Sequence, residues 1–164
     1  MNIRILRVLA IVMAALAMGM HLAHALELVP KRRWDPELYL AVQSSLYMLF
    51  GSIGPVLEIG ALVLVALVVR TVWASRSART LPLVSVAAIT LALLVWALVV
   101  LPANAQLSSW QTSRVMPPDW ARWRDQWQFG QAFIFLIHIV GFSALVVSSV
   151  EGRAQDASTL GRRA

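Results

Sequence analysis

The sequence predicts an all-α polytopic membrane protein, an antiparallel bundle of four transmembrane helices with an outer cap. Hydrophobic residues make up 59% of the 164 residues and charged residues only 13%, and the mean hydropathy is +0.72, unlike ordinary soluble domains. Four stretches are apolar over the roughly 20 residues with which a helix crosses a bilayer, at about 3–26, 44–70, 81–102 and 127–150. We expect residues 1–151 to form one domain and residues 152–164 a polar cytoplasmic tail.

The first stretch begins like a secretory signal peptide. Arg4 and Arg7 precede an apolar run, and an alanine stands on either side of His24, which is the layout of a cleavable signal. The apolar run, however, continues to about residue 25 and exceeds a typical signal core. We therefore expect a first transmembrane helix that stays in the protein.

The second stretch is preceded by Asp35 and Pro36, a helix N-cap followed by proline at the first helical position. A helix that runs from there to Arg70 is about 52 Å long, more than the bilayer needs, so its first third is expected to project beyond the lipid. The glycines and the proline of segment 51–55 are expected to interrupt it, because proline removes one helical hydrogen bond.

The last two stretches also begin with helix-start signals. Thr80 and Pro82 are expected to open the third helix, and a Pro-Pro-Asp sequence leads into a fourth helix that starts well before the lipid. Trp120, Trp123 and Trp127 follow at helical spacing on one face. An interfacial aromatic belt is favoured for them over a stacking platform for a ligand.

The distribution of Lys and Arg predicts the orientation in the membrane. Eight of these residues flank the termini and the second loop, and six flank the other two loops. By the positive-inside rule both termini are expected in the cytoplasm, in a multi-pass protein of the plasma (inner) membrane. The net charge of +6 belongs to these flanking positions, so the lipid bilayer and not a nucleic acid is the expected partner. Because the chain has no cysteine, disulfides and thiolate metal sites are excluded.

Ionisable side chains recur at one depth in three helices. Counted along each helix from its cytoplasmic arginine, Glu58, His21 and His138 lie at roughly 18–22 Å, and His24 lies slightly higher at roughly 26 Å. A charge near the middle of the bilayer costs about 2.5–3.5 kcal/mol. We therefore expect Glu58 to face the bundle and to pair with a histidine.

The end of the first helix places His21, His24 and Glu27 over about 120° of its circumference. Three interpretations stay open at this point: a metal site for iron, copper or zinc, a metal-free acid and base pair, or a structural polar cluster. The ligands of the first would be His21, His24, Glu58 and His138. Above these side chains, the expected lining of the site's entrance is Glu27, Asn104, Gln43 and Gln131.

Five short motifs along the chain resemble a known family. They are, in order, HALELVP, YLAVQSSLY, GPVLEIGAL, LPANAQLSSW and PPDWARWRDQW. Together they resemble a family of small four-helix membrane proteins, mostly of unknown function, that includes the fungal anthrone oxygenases. The oxidation of a polyketide anthrone by molecular oxygen is attributed to these enzymes. The resemblance extends from about residue 18 to residue 145.

The resemblance implies a set of functional positions. They are His24, Glu27, Glu58, Asn104, Trp120, Arg124 and Trp127. Many relatives carry a histidine one turn after the last motif, where this chain has Gln131. Because glutamine is neither a base nor a good metal ligand, a metal or an oxygenase function inherited from the family is less favoured here, unless the site has moved inward and His138 takes its place.

The function predicted first is that of a monooxygenase-like oxidoreductase for a hydrophobic or aromatic small molecule. In this hypothesis His24 is the general base, Glu27 orients it, and Arg124 and Asn104 hold the oxyanion. The residues expected to bind the substrate are Trp120, Trp127, Gln131 and Glu58. The sequence requires no cofactor, and no phosphate-binding loop, H-E-x-x-H motif or nucleophile elbow occurs. The alternative is a non-catalytic accessory or assembly subunit, or a lipid-binding protein, with a membrane protein partner or as a homo-oligomer.

Overall fold

The computed structural model describes residues 2–161. For residue 48 and residues 153–161 it describes the backbone alone. Regular structure in this part of the chain is helical throughout. In order, the helices are α1 (Ile3–Leu26), α2 (Leu28–Lys31), α3 (Pro36–Ser45), α4 (Met48–Thr71), α5 (Arg76–Val95), α6 (Leu101–Ser113) and α7 (Trp120–Gly161), with a π-helical segment (Trp96–Val100) joining α5 to α6.

Four helical segments are long and apolar enough to cross a membrane. They are Ile3–Leu26, Leu49–Thr71, Arg76–Ser113 and Trp120–Gly152. The predicted all-α bundle of four membrane helices is therefore confirmed. The tail predicted for residues 152–164 begins within α7, which continues to Gly161, and residues 162–164 lie outside the described part.

The bundle has two distinct ends. The terminal end holds the start of α1 and the α4–α5 turn, and the cap end holds α2, α3 and the loop before α7. Helix α1 packs on α4 and α7, and α5 packs on α7 and α4. Toward the terminal end these helices enclose a core of small and aliphatic side chains: Leu6, Ala10, Ala14, Ala61, Val65, Val68, Ile89 and Leu145. The membrane helices are thus closely packed at this end.

Helices α5 and α7 contact each other closely at small residues. A Cβ atom at Gly141 would lie 2.8 Å from the Cβ atom of Ala88 and 3.6 Å from the carbonyl oxygen of Ser85. Small residues let membrane helices pack backbone to backbone, where van der Waals contact drives their association. The glycine is therefore required by this contact.

Replacing Gly141 by alanine is expected to lower the free energy of unfolding by about 1–3 kcal/mol, because the added methyl overpacks the α5–α7 contact. The matched control is Gly19→Ala in α1, where nothing lies within 4 Å of the added Cβ atom. Denaturant titration of both variants in the same detergent measures the effect. An equal loss in the two variants would contradict the assigned contact.

The second predicted helix is broken earlier than expected. Asp35 accepts a hydrogen bond from the Leu38 amide at 2.8 Å, and α3 begins at Pro36 as predicted. The prediction of one helix to Arg70 is wrong, since α3 ends at Ser45 and α4 starts at residue 48. The hydroxyls of Ser44 and Ser45 bond to carbonyl oxygens one turn back, which bends a helix at that point. The proline and glycines of segment 51–55 lie inside α4 instead.

The third predicted helix is longer than expected at both ends. It starts after Ser75, whose hydroxyl caps α5, so Pro82 lies inside the helix and does not open it. It continues through the π-helical segment into α6, and within that segment the carbonyl oxygen of Val99 accepts a hydrogen bond from Gln126 at 2.9 Å. Pro102 has no amide hydrogen and stands where α6 begins, next to this widened turn. The fourth helix begins at Trp120, directly after the Pro-Pro-Asp sequence, as predicted.

Candidate functional site

A cavity of about 500 Å³ lies in the cap-end half of the bundle. All four membrane helices contribute to its wall, which is mostly apolar. Its polar lining residues are His21, His24, Gln43, Tyr47, Glu58, Asn104, Ser108, Gln111 and Gln131. They fall into an inner layer around Glu58 and an outer layer around His24. The two depths predicted from the sequence therefore open into one cavity.

The inner layer is built on Glu58, which is buried between two histidines. His21 Nε2 lies 2.7 Å and His138 Nε2 lies 2.9 Å from the same oxygen, Glu58 Oε1. The two imidazole rings are stacked with centroids 5.2 Å apart. On its other side, His21 Nδ1 is 2.6 Å from Gln131 Oε1. The predicted pairing of Glu58 with histidine is thus confirmed, with two partners.

The outer layer is a network centred on Glu27 and Lys31. Lys31 is fully buried, and its Nζ atom lies 2.8 Å from Glu27 Oε2 and 3.2 Å from Gln43 Oε1. Gln43 in turn donates to the hydroxyl of Tyr39 at 3.2 Å. The hydroxyl of Tyr47 donates to Glu27 Oε1, and the Lys31 ammonium lies 3.8 Å from the centre of the Tyr47 ring. Helices α1, α2, α3 and the start of α4 are tied together by these contacts.

Burial and hydrogen bonding together set the charge of this network. Burial alone disfavours a carboxylate, but the hydrogen bonds from Lys31 and Tyr47 outweigh it and hold the pKa of Glu27 below its usual value. Burial lowers the pKa of Lys31. The Glu27 carboxylate raises this pKa, but it offsets the effect of burial only in part. Burial also raises the pKa of Tyr47, and the neighbouring Glu27 raises it further. The Tyr47 hydroxyl therefore keeps its proton and donates a hydrogen bond to Glu27.

His24 stands in an aromatic box on the cavity wall. Its ring centroid lies 4.8 Å from that of Trp127, 4.9 Å from Phe50 and 5.1 Å from Tyr47. His24 Nδ1 is 3.6 Å from Glu27 Oε2, which is too long for a hydrogen bond. Glu27 was predicted to orient His24, whereas its short contacts go to Lys31 and Tyr47. The carboxylate acts on His24 through its charge, and the aromatic rings hold the imidazole in place.

Asn104 on α6 and Trp127 on α7 both line the cavity and contact each other. The indole Nε1 of Trp127 donates to Asn104 Oδ1 at 2.8 Å, which fixes the orientation of the Asn104 amide. Its nitrogen, with two hydrogens, is then the group left for a ligand. The predicted residues His24, Glu58, Asn104, Trp127 and Gln131 all line the one cavity.

Arg124 and Trp120 lie outside the cavity lining. Arg124 Nε donates to Asp125 at 2.9 Å, Nη1 donates to the carbonyl oxygen of Arg32 at 3.2 Å, and the guanidinium lies 4.8 Å from the Trp120 ring. These contacts join the start of α7 to the segment after α2. The structure does not bring Arg124 to His24, so its predicted role at an oxyanion has no support from the geometry.

The tryptophans of the fourth helix point mainly inward. Trp127 is buried and lines the cavity. Trp120 and Trp123 are half-buried and pack against the cap core formed by Tyr39, Leu107 and Trp110. The preferred interpretation as an interfacial belt is therefore wrong for Trp127, which faces the site.

Sequence reasoning missed Lys31 and Tyr47. Lys31 was counted among the basic residues that flank the membrane, although it is fully buried. Its spacing of four from Glu27 is the signal that could have identified the pair, because such residues are neighbours on a helix. Tyr47 stands in one of the motifs, but no local pattern links it to Glu27. Its contact depends on the break between α3 and α4.

No protein-family model, curated protein or solved structure matches the chain.

Proposed function

We propose that this protein is a membrane-embedded oxidoreductase of the monooxygenase type that oxidises a hydrophobic aromatic substrate with molecular oxygen. The observation that supports this most is the cavity of about 500 Å³, with an apolar wall and polar groups at two depths. Ligand pockets for small molecules have this size and this mixture of a largely apolar wall with a few placed polar groups. The resemblance to the anthrone oxygenases supplies the substrate class.

The side of the cavity between α4 and α6 is suited to a substrate dissolved in the lipid. Lining residues on these helices are themselves exposed on the bundle surface, among them Gly51, Ile59, Leu101 and Ser108. Pro55 leaves the carbonyl oxygen of Gly51 without its helical partner at the same place. A flat apolar molecule therefore has a path from the bilayer to His24 that does not cross the cap.

The reaction needs an acidic carbon on the substrate and a base beside it. His24 accepts one proton from the methylene group of an anthrone, and the electron pair left on carbon reduces oxygen. A carbon–oxygen bond forms, the oxygen–oxygen bond breaks, and the second oxygen leaves as water with the two hydrogens of the methylene. Substrate and oxygen thus balance the reaction without another reductant.

The outer layer fits the needs of this proton transfer. Glu27 Oε2, 3.6 Å from His24 Nδ1, stabilises the imidazolium that forms. The Asn104 amide nitrogen, left free by the bond to Trp127, is placed to donate to the substrate oxygen as negative charge develops. The rings of Trp127 and Tyr47 offer stacking surfaces for an aromatic substrate. Arg124 is not needed in this scheme.

Blocking the cavity mouth is the sharpest test of this function. Ser108 lines the cavity and Ser109 beside it does not, although both are exposed on α6. With the protein in lipid nanodiscs and anthrone as the probe, Ser108→Trp is expected to lower kcat/KM at least about tenfold, the scale of a lost pocket contact. Ser109→Trp is expected to retain wild-type turnover to anthraquinone.

Two results would overturn the proposal. One is wild-type turnover no faster than the slow oxidation in empty nanodiscs, and the other is an equal loss in both serine variants. Saturable binding of anthrone without turnover would favour the alternative, a lipid-binding or accessory subunit, for which the apolar cavity is also suited.

We further propose that the protein resides in the plasma (inner) membrane with both termini in the cytoplasm. Because the chain has no cysteine, single-cysteine variants report one site each. Ala74 is exposed in the turn at the terminal end and Val115 is exposed at the cap end. In intact cells an impermeant maleimide is expected to label Val115→Cys and to reach Ala74→Cys only after lysis. The reverse pattern would contradict this orientation.

A further inference from the structure

We propose that His21, Glu58 and His138 bind one divalent first-row transition metal ion, as a centre of two histidines and one carboxylate. This donor set is used for non-haem iron(II) and, in hydrolases, for zinc. The site lies in the inner layer, below the proposed base His24. Metal binding can be measured without turnover, so the proposal does not depend on the proposed function.

The ligand atoms already converge. One atom from each of the three residues lies within 4.8 Å of the others, and all three residues are buried. At metal–ligand distances of about 2.0–2.2 Å, two ligands at right angles stand about 3 Å apart. The distances from Glu58 Oε1 to the two Nε2 atoms, 2.7 and 2.9 Å, are close to that separation. Small side-chain shifts suffice to place an ion among them.

The hydrogen bond of His21 favours a cation at this point. Gln131 Oε1 is an acceptor, so His21 Nδ1 at 2.6 Å carries the proton, and a neutral ring then has only a lone pair on Nε2. That lone pair faces the Glu58 carboxylate at 2.7 Å. Metal-bound histidines commonly donate their second ring N–H to such an oxygen. Gln131 therefore holds the ligand His21 and is not itself a ligand.

Two further buried atoms lack a hydrogen bond of good geometry. In the part of the chain that the structure describes, Glu58 Oε2 makes none, and His138 Nε2 lies 2.9 Å from Glu58 Oε1 without meeting hydrogen-bond geometry. One proton between His21 and Glu58 would satisfy only that pair, whereas a metal ion is coordinated by both imidazoles and the carboxylate together. A buried polar group without a partner costs about 1–3 kcal/mol. An ion bound by His138 Nε2 and by both carboxylate oxygens of Glu58 would remove this cost.

The cavity gives this centre an open side. His21, Glu58 and Gln131 line the cavity, while His138 lies behind them and is 2% exposed. Three protein ligands leave coordination positions for water or another small ligand, which is the arrangement of catalytic metal sites and not of structural ones. These positions face the space that the proposed substrate would occupy.

The test uses the full chain purified on an affinity tag without histidine. We expect elemental analysis to find about one metal ion per chain, the stoichiometry of a mononuclear centre, with iron or zinc identified directly. After removal by a chelator, cobalt(II) added to the wild-type protein is expected to give a visible absorption band and to raise the melting temperature. Glu58→Gln and His138→Gln are expected to retain less than about one tenth of the metal.

His24→Gln is the matched control, since the chain has three histidines and only this one lies outside the proposed ligand set. It is expected to keep the metal content of the wild type. Gln131→Leu is expected to weaken cobalt binding about 10–100-fold, because metal sites commonly lose this much affinity when the residue that orients a ligand is removed.

A wild-type protein that neither holds metal nor responds to cobalt would overturn the proposal, and so would full metal content in His138→Gln. If the ligand variants fail to fold, the cobalt titration of chelated wild-type protein still decides between the outcomes. In that case, absence of both the absorption band and the thermal shift counts against the site.

Discussion

Glu27→Ala is expected to lower the free energy of unfolding by about 3–5 kcal/mol, because it removes the carboxylate partner of a buried ammonium group. Lys31 is fully buried and, among the residues that the structure describes, would retain only Gln43 as a hydrogen-bonding partner. The variant also removes the acceptor of the Tyr47 hydroxyl. Denaturant titration in detergent, followed by tryptophan fluorescence, measures the loss.

Two comparisons separate this pair from a general effect of charge. Glu37→Ala removes an exposed carboxylate near the start of α3 and is expected to cost at most about 1 kcal/mol. The double variant Glu27→Leu, Lys31→Met removes both charges and is expected to be more stable than Glu27→Ala, because no unpaired buried charge remains. Equal losses in Glu27→Ala and Glu37→Ala would contradict the assigned network.

His24→Gln is expected to lower kcat for anthrone oxidation by about 10²–10⁴-fold, the usual contribution of a general base. Glutamine keeps approximately the size and polarity of the side chain but cannot accept the proton. The substrate dissociation constant is expected to change little, because the rings of Trp127 and Tyr47 remain. Turnover and equilibrium binding are measured on the same nanodisc preparation.

Leu26→Gln places the same amide on the exposed end of the same helix and serves as the control, since Leu26 is 71% exposed. It is expected to retain wild-type kcat. A His24→Gln variant with unchanged kcat would show that the base lies elsewhere, and the metal centre below it would then be the first place to look.

The membrane helices could be predicted well because lipid imposes a simple rule on the sequence. Each span needs about 20 apolar residues in a helix, and all four were recognised from that pattern alone. Helix ends were predicted where a local cap determines them, as at Asp35. The cap at Ser75 was missed although it is equally local. The extension past residue 102 was also missed, and there the carbonyl oxygen of Val99 is bonded by Gln126 from another helix.

The pairing in the inner layer of the site could be predicted from the sequence, whereas the contacts of Lys31 and Tyr47 in the outer layer were missed. Counting residues along three helices placed His21, Glu58 and His138 at one depth, since a buried carboxylate in lipid must find a partner. Depth cannot be counted in this way in the cap, where α2 and α3 are short helices outside the four membrane segments. Lys31 could have been identified by its spacing of four from Glu27, whereas Tyr47 is joined to Glu27 only by the fold of the cap.

The most direct test of the proposed oxidation is the fate of isotopic oxygen. Anthrone is incubated under oxygen-18 gas with the protein in nanodiscs, and product and water are analysed by mass spectrometry. We expect one heavy oxygen atom in anthraquinone and one in water, formed far faster with the wild-type protein than with His24→Gln. Product that forms at the same rate in empty nanodiscs would contradict an oxygenase function, and so would product that contains no oxygen-18.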